Sequence, residues 1–268
     1  MSHQNTIFKQ ITQILPRHEF EKSVRKHKGD FASKGFSCWE QFMAMLYGQF
    51  SGQTGLRGIE AGLESNRKSL YHLGVKQVKR STLSYANNNR PSKIYETVFN
   101  GMLENVFMLK QKHRLKFNNP LFSVDASTVD LCLSLFPWAT FRKKKGGIKL
   151  HVKLDHRGYI PSFVSVTTAK NHEVNEIKNM KFEKGDVVTF DRGYNDFALF
   201  AKYCNTGIYF VTRLKNNADY SVEERRDVFS YPNISSDQTI VMNGFYTSKK
   251  CPLKLRRIRS KDPETGKY

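Results

Sequence analysis

Apolar residues follow a helical period through the first part of the chain. In CWEQFMAMLYGQF, residues 38–50, apolar side chains recur every three or four positions, and helical stretches broken by glycine continue to a last one at residues 92–109. The segment HRLKFNNP then ends the helical pattern, because the residue before a proline disfavours helix. The pattern predicts a small all-α domain over residues 1–115.

Beyond that junction the pattern changes to the period of strands. Over residues 148–155 apolar and polar side chains alternate strictly, which is typical of a half-buried strand, and the turn His156-Arg-Gly leads into a second strand at residues 159–167. Alternating helical and strand segments follow, so the order of elements predicts an α/β unit with a mixed sheet over residues 116–215. Short strands and turns predict a β-rich segment over residues 216–268.

Two apolar strands of the α/β unit carry an aspartate. LFSVDAS contains Asp125 and VVTFD ends in Asp191. If an antiparallel meander is followed by a helical crossover, the later strand lies parallel to the first and beside it, which makes the two carboxylates neighbours. Close carboxylates repel unless a cation lies between them, and Mg²⁺ accepts one or two carboxylates together with water and phosphate. The pattern alone also allows a second interpretation, in which each aspartate forms a turn or caps a helix.

The charge of the chain narrows the choice of partners. Lysine and arginine number 44 against 24 acidic residues, which gives a formal charge of +20. This excess is shared between residues 1–115 and residues 116–268. A polyanion is the simplest partner for such a charge. A membrane surface is the competing partner, but no apolar run approaches the roughly 20 residues of a spanning helix and no signal-peptide pattern opens the chain. We therefore expect a cytoplasmic, nucleoid-associated protein that does not bind a membrane.

Several motifs, taken in order, resemble those of one family. The segment around Asp125, the run FRKKKGGIKLHVKLD, the DRGY at residues 191–194 and YFVTRLK at residues 209–215 are similar to the DDE-type transposases of the insertion-sequence-4 family. The N-terminal pieces SHQNTIFKQITQILP, YHLG and KRSTLSYANNNR resemble the same family's helical DNA-binding domain. DRGY alone would be a weak indication, whereas the ordered set, which extends over essentially the whole chain, is a strong one.

The resemblance implies a fold, a chemistry and partners. The implied fold is a ribonuclease-H-like mixed-sheet α/β catalytic core with an all-α N-terminal DNA-binding domain and a β-rich insertion. The implied reaction is Mg²⁺-dependent cleavage and strand transfer at transposon ends, with Mn²⁺ as a substitute ion and with Asp125 and Asp191 as catalytic and metal-binding residues. The implied partner is double-stranded DNA, both the terminal inverted repeats and the target, held by a homodimer on paired ends.

Basic residues near these motifs are candidate DNA contacts. Arg192 would bind a DNA phosphate through two parallel hydrogen bonds. Tyr194 would contact DNA by stacking or through its hydroxyl, although it could equally pack over the next helix. The other candidates in this half are Arg142, Lys143, Lys144, Lys145, Lys149, Arg213 and Lys215, for which an ordinary solvated charge is the alternative. His151 has no partner at metal-ligand spacing and is expected to be solvated or hydrogen-bonded.

A second group of DNA contacts is predicted in the helical domain. Lys79, Arg80 and Ser81 lie at a helix start, where backbone N–H groups and hydroxyls can hold phosphate, and Arg90 and Lys93 follow within a few turns. This arrangement resembles a helix-turn-helix that reads transposon ends. The alternative is a basic helical bundle that only packs against the catalytic core.

The family's third carboxylate is missing from the sequence. That glutamate belongs to the signature Tyr-x₂-Arg-x₃-Glu-x₆-Lys, which no tyrosine of the chain begins, and Glu264 lies in a Pro-Glu-Thr-Gly turn that is a poor substitute. We therefore expect a catalytic fold truncated at its C-terminus, either a transposon remnant or a fragment. The alternative functions are a non-catalytic DNA-binding fragment that occupies transposon ends or inhibits full-length transposase, and an unrelated ribonuclease-H-like nuclease without end specificity.

Overall fold

The structure is a computed structural model that describes most of the chain. The residues described are 7–31, 33, 35–70, 73–107, 113, 115–131, 140–142, 145–262, 264 and 266, without the side chains of residues 69, 70, 107, 131, 140–142 and 145. The chain divides into two compact units, residues 1–108 and 109–268, so the predicted β-rich segment belongs to the second unit. Within the described residues, no helix has the length and apolar character needed to cross a bilayer.

The first unit is built from helices. Their bounds are α1 Ile7–Gln13, α2 Arg17–Lys26, α3 Cys38–Phe50, α4 Leu56–Ser65, α5 Arg67–Leu70, α6 Arg80–Asn89 and α7 Lys93–Phe107. α3 begins with a capping box, in which the Ser37 hydroxyl accepts from the Glu40 N–H while the Glu40 carboxylate accepts from the Ser37 N–H. Two apolar clusters hold these helices together, one around Phe20 and the other around Leu83.

The second unit alternates strands with short helices. The bounds in its described part are β1 Leu121–Leu131, β2 Thr140–Arg142, β3 Lys145–Asp155, β4 Ile160–Thr168, α8 Glu173–Ile177, β5 Val187–Phe190, α9 Phe197–Thr206, β6 Tyr209–Thr212, β7 Tyr220–Arg226, β8 Ile234–Met242, α10 Phe245–Lys250 and β9 Leu255–Ser260. A 3₁₀ turn, Arg192–Tyr194, lies between β5 and α9. The Asp196 carboxylate caps the start of α9, and Gly207 ends it at φ 69°.

The main sheet is mixed, with parallel strands on one side. Its order is β2-β3-β1-β5-β6, and β4 pairs with β3. β1, β3 and β4 form an antiparallel meander, whereas β5 runs parallel to both of its neighbours, β1 and β6. The chain passes from β4 to β5 through α8, which is the kind of crossover that a parallel pair requires. The predicted hairpin and crossover are therefore confirmed, and the sheet fits a DDE or ribonuclease-H-like domain.

One face of this sheet packs against α8 and α9. Val124, Val188 and Phe190 of the sheet join side chains of both helices in the largest apolar cluster of the unit. The polar side of β3 lies on the same face, so that His151 and Asp155 are only 0% and 1% exposed. The alternation predicted for β3 is present, but its more deeply buried side is the polar one, because each polar side chain on that side finds a partner within the fold.

The opposite face of the sheet carries Asp125 and many exposed apolar side chains. Strand pairing places Val152 opposite Asp125 and Val164 opposite Val152, so the apolar side of β3 and β4 lies on this face. The members that are between 37% and 62% exposed are Val129, Val164, Val166, Tyr209 and Val211. The helices α8 and α9 therefore cover the face of the sheet that does not carry Asp125.

A second, three-stranded sheet follows, with the order β7-β8-β9. Its central strand contains Asp237, which is 7% exposed and accepts hydrogen bonds from Arg256 Nε at 3.0 Å and Arg226 Nη1 at 3.1 Å. These guanidinium groups, Arg256 first, hold the pKa of the Asp237 carboxyl below its ordinary value. The six-residue α10 lies between β8 and β9, where the sequence shows no helical period.

Candidate active site

Asp125 and Asp191 extend from neighbouring parallel strands. The paired residues of β1 and β5 end with Val124 opposite Phe190, and the next position along each strand is an aspartate. Hydrogen-bonded strands lie roughly 4.8 Å apart, so the backbones of the two aspartates are neighbours. The structure brings these two predicted site residues together although a hairpin and a helix separate them in the chain.

Both carboxylates lie on the same face of the sheet. Two positions earlier, the hydroxyls of Ser123 and Thr189 are hydrogen-bonded to each other at 2.9 Å, which places these side chains on one face. Side chains two residues apart in a strand share a face, and Asp191 keeps an extended backbone at φ −77° and ψ 172°. Both aspartates are exposed. Both carboxylates are therefore open to solvent where the pairing of β1 with β5 ends.

The turn after β5 fixes the Asp191 carboxylate. Asp191 caps the 3₁₀ turn, and its Oδ1 accepts the Gly193 N–H at 2.9 Å. On the other side of the turn, the Thr212 hydroxyl donates to Asn195 Oδ1 at 2.8 Å, which ties the turn to the end of β6. The carboxylate that follows this strand is therefore oriented by the backbone N–H of Gly193.

Gly193 is favoured by a close approach and not by its backbone torsion, which is outside the left-handed region. A Cβ added at this position would overlap Glu173 Oε2 and would lie 3.0 Å from Asp191 Oδ1. Carboxylates from two different elements therefore border the same small space. Any side chain at residue 193 would displace at least one of them.

Glu173 begins α8 and is held from its other side by Lys149. The Lys149 Nζ donates to Glu173 Oε1 at 3.0 Å and to the Asn171 carbonyl at 3.3 Å, and the two charged side chains are 15% and 25% exposed. The sequence predicts Lys149 as a DNA contact. We do not retain it as one, because its ammonium group is paired inside the fold.

Tyr194 is fully buried, with 0% of its surface exposed. Its hydroxyl has no hydrogen-bond partner among the residues that the structure describes. Burial raises the pKa of Tyr194, and the carboxylates of Glu173, Asp125 and Asp191 raise it further. A buried phenol cannot stack on a base or reach a phosphate, so the packing alternative describes Tyr194 and the predicted DNA contact is not retained.

His151 lies on the same buried side of β3. Its Nε2 is hydrogen-bonded to the Thr167 hydroxyl at 2.9 Å, while Nδ1 has no partner in the described part of the chain. Burial lowers the pKa of His151, and the Glu176 carboxylate opposes this effect. The ring is therefore a hydrogen-bonded interior group, shielded from solvent.

The chemistry of the donors suits a hard divalent cation. Mg²⁺ and Mn²⁺ prefer oxygen ligands, and a Mg²⁺ site commonly uses one or two carboxylates with water and phosphate. The described residues contain no group of three or more His, Cys, Asp or Glu side chains placed to hold a metal ion. Asp125 and Asp191 are thus suitable donors for such a cation, but they are only two carboxylates.

The structure describes the side chains of only some of the remaining predicted DNA contacts in the second unit. Arg192, Arg213 and Lys215 are exposed, as a phosphate contact requires. Arg142 and Lys145 are described by their backbone alone, in β2 and at the start of β3, and Lys143 and Lys144 lie outside the described residues. The basic run at residues 142–145 therefore stays a prediction.

In the first unit, Lys79, Arg80, Ser81 and Lys93 are exposed. Arg90 is not available in the same way, because its side chain is only 10% exposed. Its guanidinium donates to the carbonyls of Phe36 and Ser37 and to Gln41 Oε1, the last two at 3.0 Å. Arg90 thus connects α6 to the start of α3, and we do not retain it as a DNA contact.

Glu173 is the residue near this site that sequence reasoning missed. It lies in a predicted short helix, but an acidic residue in a first helical turn is common because it complements the helix dipole. The one hint in the sequence is the glycine of DRGY, whose requirement for space has no explanation until its neighbour is known.

Comparisons with known proteins indicate a family for this chain. The family described as "Transposase DDE domain" matches residues 116–268, and "Domain of unknown function (DUF4372)" matches residues 3–76. The chain is 26% identical over 149 residues, 56% of its length, to a protein of Geobacillus stearothermophilus named as the probable transposase for insertion sequence element IS5377. It is 26% identical over 186 residues, 67% of its length, to a protein of Sinorhizobium fredii (strain NBRC 101917 / NGR234) whose name describes it as a transposase, y4zB.

These matches cover 37% and 50% of the two relatives, so the chain spans half of their length or less. Members of the DDE family generally use divalent metal ions, which suits the pair of aspartates. Because the DDE domain matches more than half of the chain, the protein belongs to the DDE-domain transposase family.

Proposed function

We propose that this chain supplies the catalytic aspartates of a transposase that cleaves and rejoins DNA at the ends of an insertion sequence. The observation that carries the proposal is the placement of Asp125 and Asp191 on one face of adjacent parallel strands. Within the family we assign the chain to the insertion-sequence-4 group, on the order of its motifs, and we propose a homodimer that holds paired ends. The names of both relatives support a role in transposition.

The proposed chemistry depends on the two carboxylates. A bound divalent cation, Mg²⁺ or Mn²⁺, would neutralise them and polarise the phosphodiester under attack. Asp125 and Asp191 would be its oxygen donors, and the hydrogen bond from the Gly193 N–H orients one of them in advance. The neighbouring Arg192 is exposed, and its guanidinium would bind a phosphate of the same DNA strand.

The exposed side of α6 is proposed to read DNA. Leu83 and Ala86 are the buried residues of this helix, and Tyr85 on its outer side is 71% exposed. Between residues 75 and 95 the sequence contains five lysines and arginines and no acidic residue. Hydroxyl and amide side chains bond base edges, and cations bind phosphate, so such a helix is suited to the major groove. The helix contributes the contacts at Lys79, Arg80 and Ser81, with Lys93 on α7.

A second candidate function is DNA binding without cleavage. The observation that favours it is that the described residues offer two carboxylate donors and no group of three. Such a protein would occupy transposon ends or block a complete transposase. Both candidates require the basic surfaces of the two units, and only the first requires a cation at Asp125 and Asp191.

Titration of the purified chain with Mn²⁺ tests the proposed site. We expect a saturable site whose affinity falls at least about tenfold, or ~1.4 kcal/mol, in Asp125→Asn and in Asp191→Asn, because each change removes one of two anionic donors. The measurement is the electron paramagnetic resonance signal of free Mn²⁺, which is lost on binding. Circular dichroism checks that each variant remains folded.

Asp130→Asn is the matched control for this titration. Asp130 is an exposed aspartate of the same strand, β1, and has no proposed ligand role. Its variant is expected to bind Mn²⁺ like the parent chain. An equal loss in the control, or unchanged binding in both aspartate variants, would contradict the assignment.

A further inference from the structure

Glu173 touches the turn that orients Asp191 without belonging to the proposed pair of donors. Its Oε2 lies so close to Gly193 that a Cβ at residue 193 would require the Glu173 side chain to shift. The same turn is held on its far side by the bond from Thr212 to Asn195. The Arg192–Tyr194 turn is therefore confined between α8 and the end of β6.

The charge of Glu173 is unfavourable beside Asp191 unless another group offsets it. Lys149 provides that offset, since its Nζ lies 3.0 Å from Glu173 Oε1. Both side chains are largely shielded from solvent, at 15% and 25% exposure, so their attraction is screened less than that of a surface pair.

We propose that Glu173, held by Lys149, is a positioning residue that keeps the Asp191 carboxylate in place. This rests on the proposed function only in so far as Asp191 binds a cation. Glu173 acts through contact with Gly193, and it is not proposed as a ligand, because the described residues contain no three-member group suited to a metal. Loss of Glu173 should therefore have two separate consequences, a more mobile turn and a lower affinity for a cation.

Hydrogen exchange tests the first consequence without any metal. In the full 268-residue chain, Glu173→Ala is expected to speed exchange of the amides of residues 192–195 by about tenfold or more, because the backing of the turn is removed. Amides in β1 and β5 are expected to exchange as in the parent. Glu173→Gln keeps the volume against Gly193 and is expected to give a smaller increase.

A compensating pair of substitutions tests the contact itself. Gly193→Ala alone is expected to disturb the turn, because its Cβ would overlap Glu173 Oε2. Adding Glu173→Ala makes room for that Cβ, while Asp191 Oδ1 at 3.0 Å needs only a small adjustment. The double variant should therefore exchange at residues 192–195 no faster than Glu173→Ala alone, since the overlap is gone. If the effects of the two substitutions on the exchange rate simply add, the contact has no effect on the turn and the proposal is overturned.

Mn²⁺ titration tests the second consequence. We expect Glu173→Ala to weaken Mn²⁺ binding about fivefold or more while its thermal midpoint changes little, because the turn that orients Asp191 is looser. The control is Lys178→Met, which removes a neighbouring ion pair with Asp196, 3.0 Å long, that makes no contact with Gly193. This control should leave both Mn²⁺ affinity and exchange at residues 192–195 unchanged.

The two measurements separate the possible failures. If the parent chain binds no Mn²⁺ but Glu173→Ala still loosens the turn, the proposed function fails and the positioning contact stands. If exchange at residues 192–195 is unchanged in Glu173→Ala, or rises equally throughout the second unit, Glu173 has no specific positioning role and the inference is overturned.

Discussion

DNA binding by the 268-residue chain is expected to weaken about a thousandfold when monovalent salt rises from roughly 50 to 200 mM. Six exposed cations are proposed to contact phosphates, namely Lys79, Arg80, Lys93, Arg192, Arg213 and Lys215. Each such contact releases condensed counterions, so the logarithm of the affinity should fall with a slope of about −0.9 per contact against the logarithm of salt. Fluorescence anisotropy of a labelled duplex over a salt series measures this slope.

Single substitutions sharpen the salt experiment. Arg213→Ala and Lys215→Ala are each expected to reduce the slope by about one contact. Lys202→Ala, which removes an exposed cation of α9 with no proposed role, should leave the slope unchanged. Arg90→Ala should lower stability and leave the slope unchanged, since its guanidinium is bonded within the first unit. An affinity that is flat across the series would contradict the electrostatic account.

End cleavage is expected to remain at background for the 268-residue chain and to rise at least about a hundredfold when the chain is extended by a relative's segment with the signature Tyr-x₂-Arg-x₃-Glu-x₆-Lys. Asp125 and Asp191 supply two carboxylates, whereas stabilising both the attacking and the leaving oxygen calls for a further ligand. The signature does not occur in this sequence. The assay incubates each protein with Mg²⁺ or Mn²⁺ and a duplex that contains the element's end, and follows strand breaks on a denaturing gel.

Asp191→Ala in the extended protein controls for contaminating nuclease and should return cleavage to background while DNA binding is retained. Efficient, end-specific cleavage by the 268-residue chain itself, lost in Asp191→Ala, would show that the third carboxylate has been misjudged. Cleavage of any duplex without end specificity would instead indicate a general nuclease.

The sheet that carries the two aspartates could be predicted, because alternating residues, turns and the direction of a crossover can be recognised in the sequence. Strict alternation and the turn after Asp155 indicate the β3–β4 hairpin, and Gly158 adopts φ 98° in that turn. A helical crossover returns the chain in the same direction, so β5 is parallel to β1, and the structure places it at the edge of β1 that β3 leaves open. The proximity of Asp125 and Asp191 follows from these two steps together with the pairing of β5 with β1.

Which side of β3 is buried could not be predicted in the same way. Alternation shows that the two sides differ, but it does not show which side α8 will cover. Here the polar side is covered, because Lys149 and His151 find Glu173 and Thr167 as partners from later parts of the chain. Burial of polar groups is tolerated when such partners are present, and a pattern of residue types does not reveal them.

The roles of individual basic and aromatic residues were the least predictable part of the site. An arginine that binds a phosphate and an arginine that donates hydrogen bonds to two backbone carbonyls look alike in sequence. Arg90 is of the second kind. Tyr194 stands in the DRGY motif next to the exposed Arg192, yet it is fully buried. The contact between Glu173 and Gly193 joins residues on separate elements, so it becomes visible only in three dimensions.

A divalent cation bound by Asp125 and Asp191 is the central feature of the proposed site. Crystals of the 268-residue chain grown with Mn²⁺, and measured at an X-ray wavelength where manganese scatters anomalously, locate that ion without reference to activity. We expect an anomalous peak within about 2.5 Å of an oxygen of each carboxylate, and its absence in crystals of Asp191→Asn. A peak bound elsewhere on the second unit, or fully resolved Asp125 and Asp191 side chains that diverge with no peak between them at saturating Mn²⁺, would contradict the assignment of these two residues as the metal-binding pair.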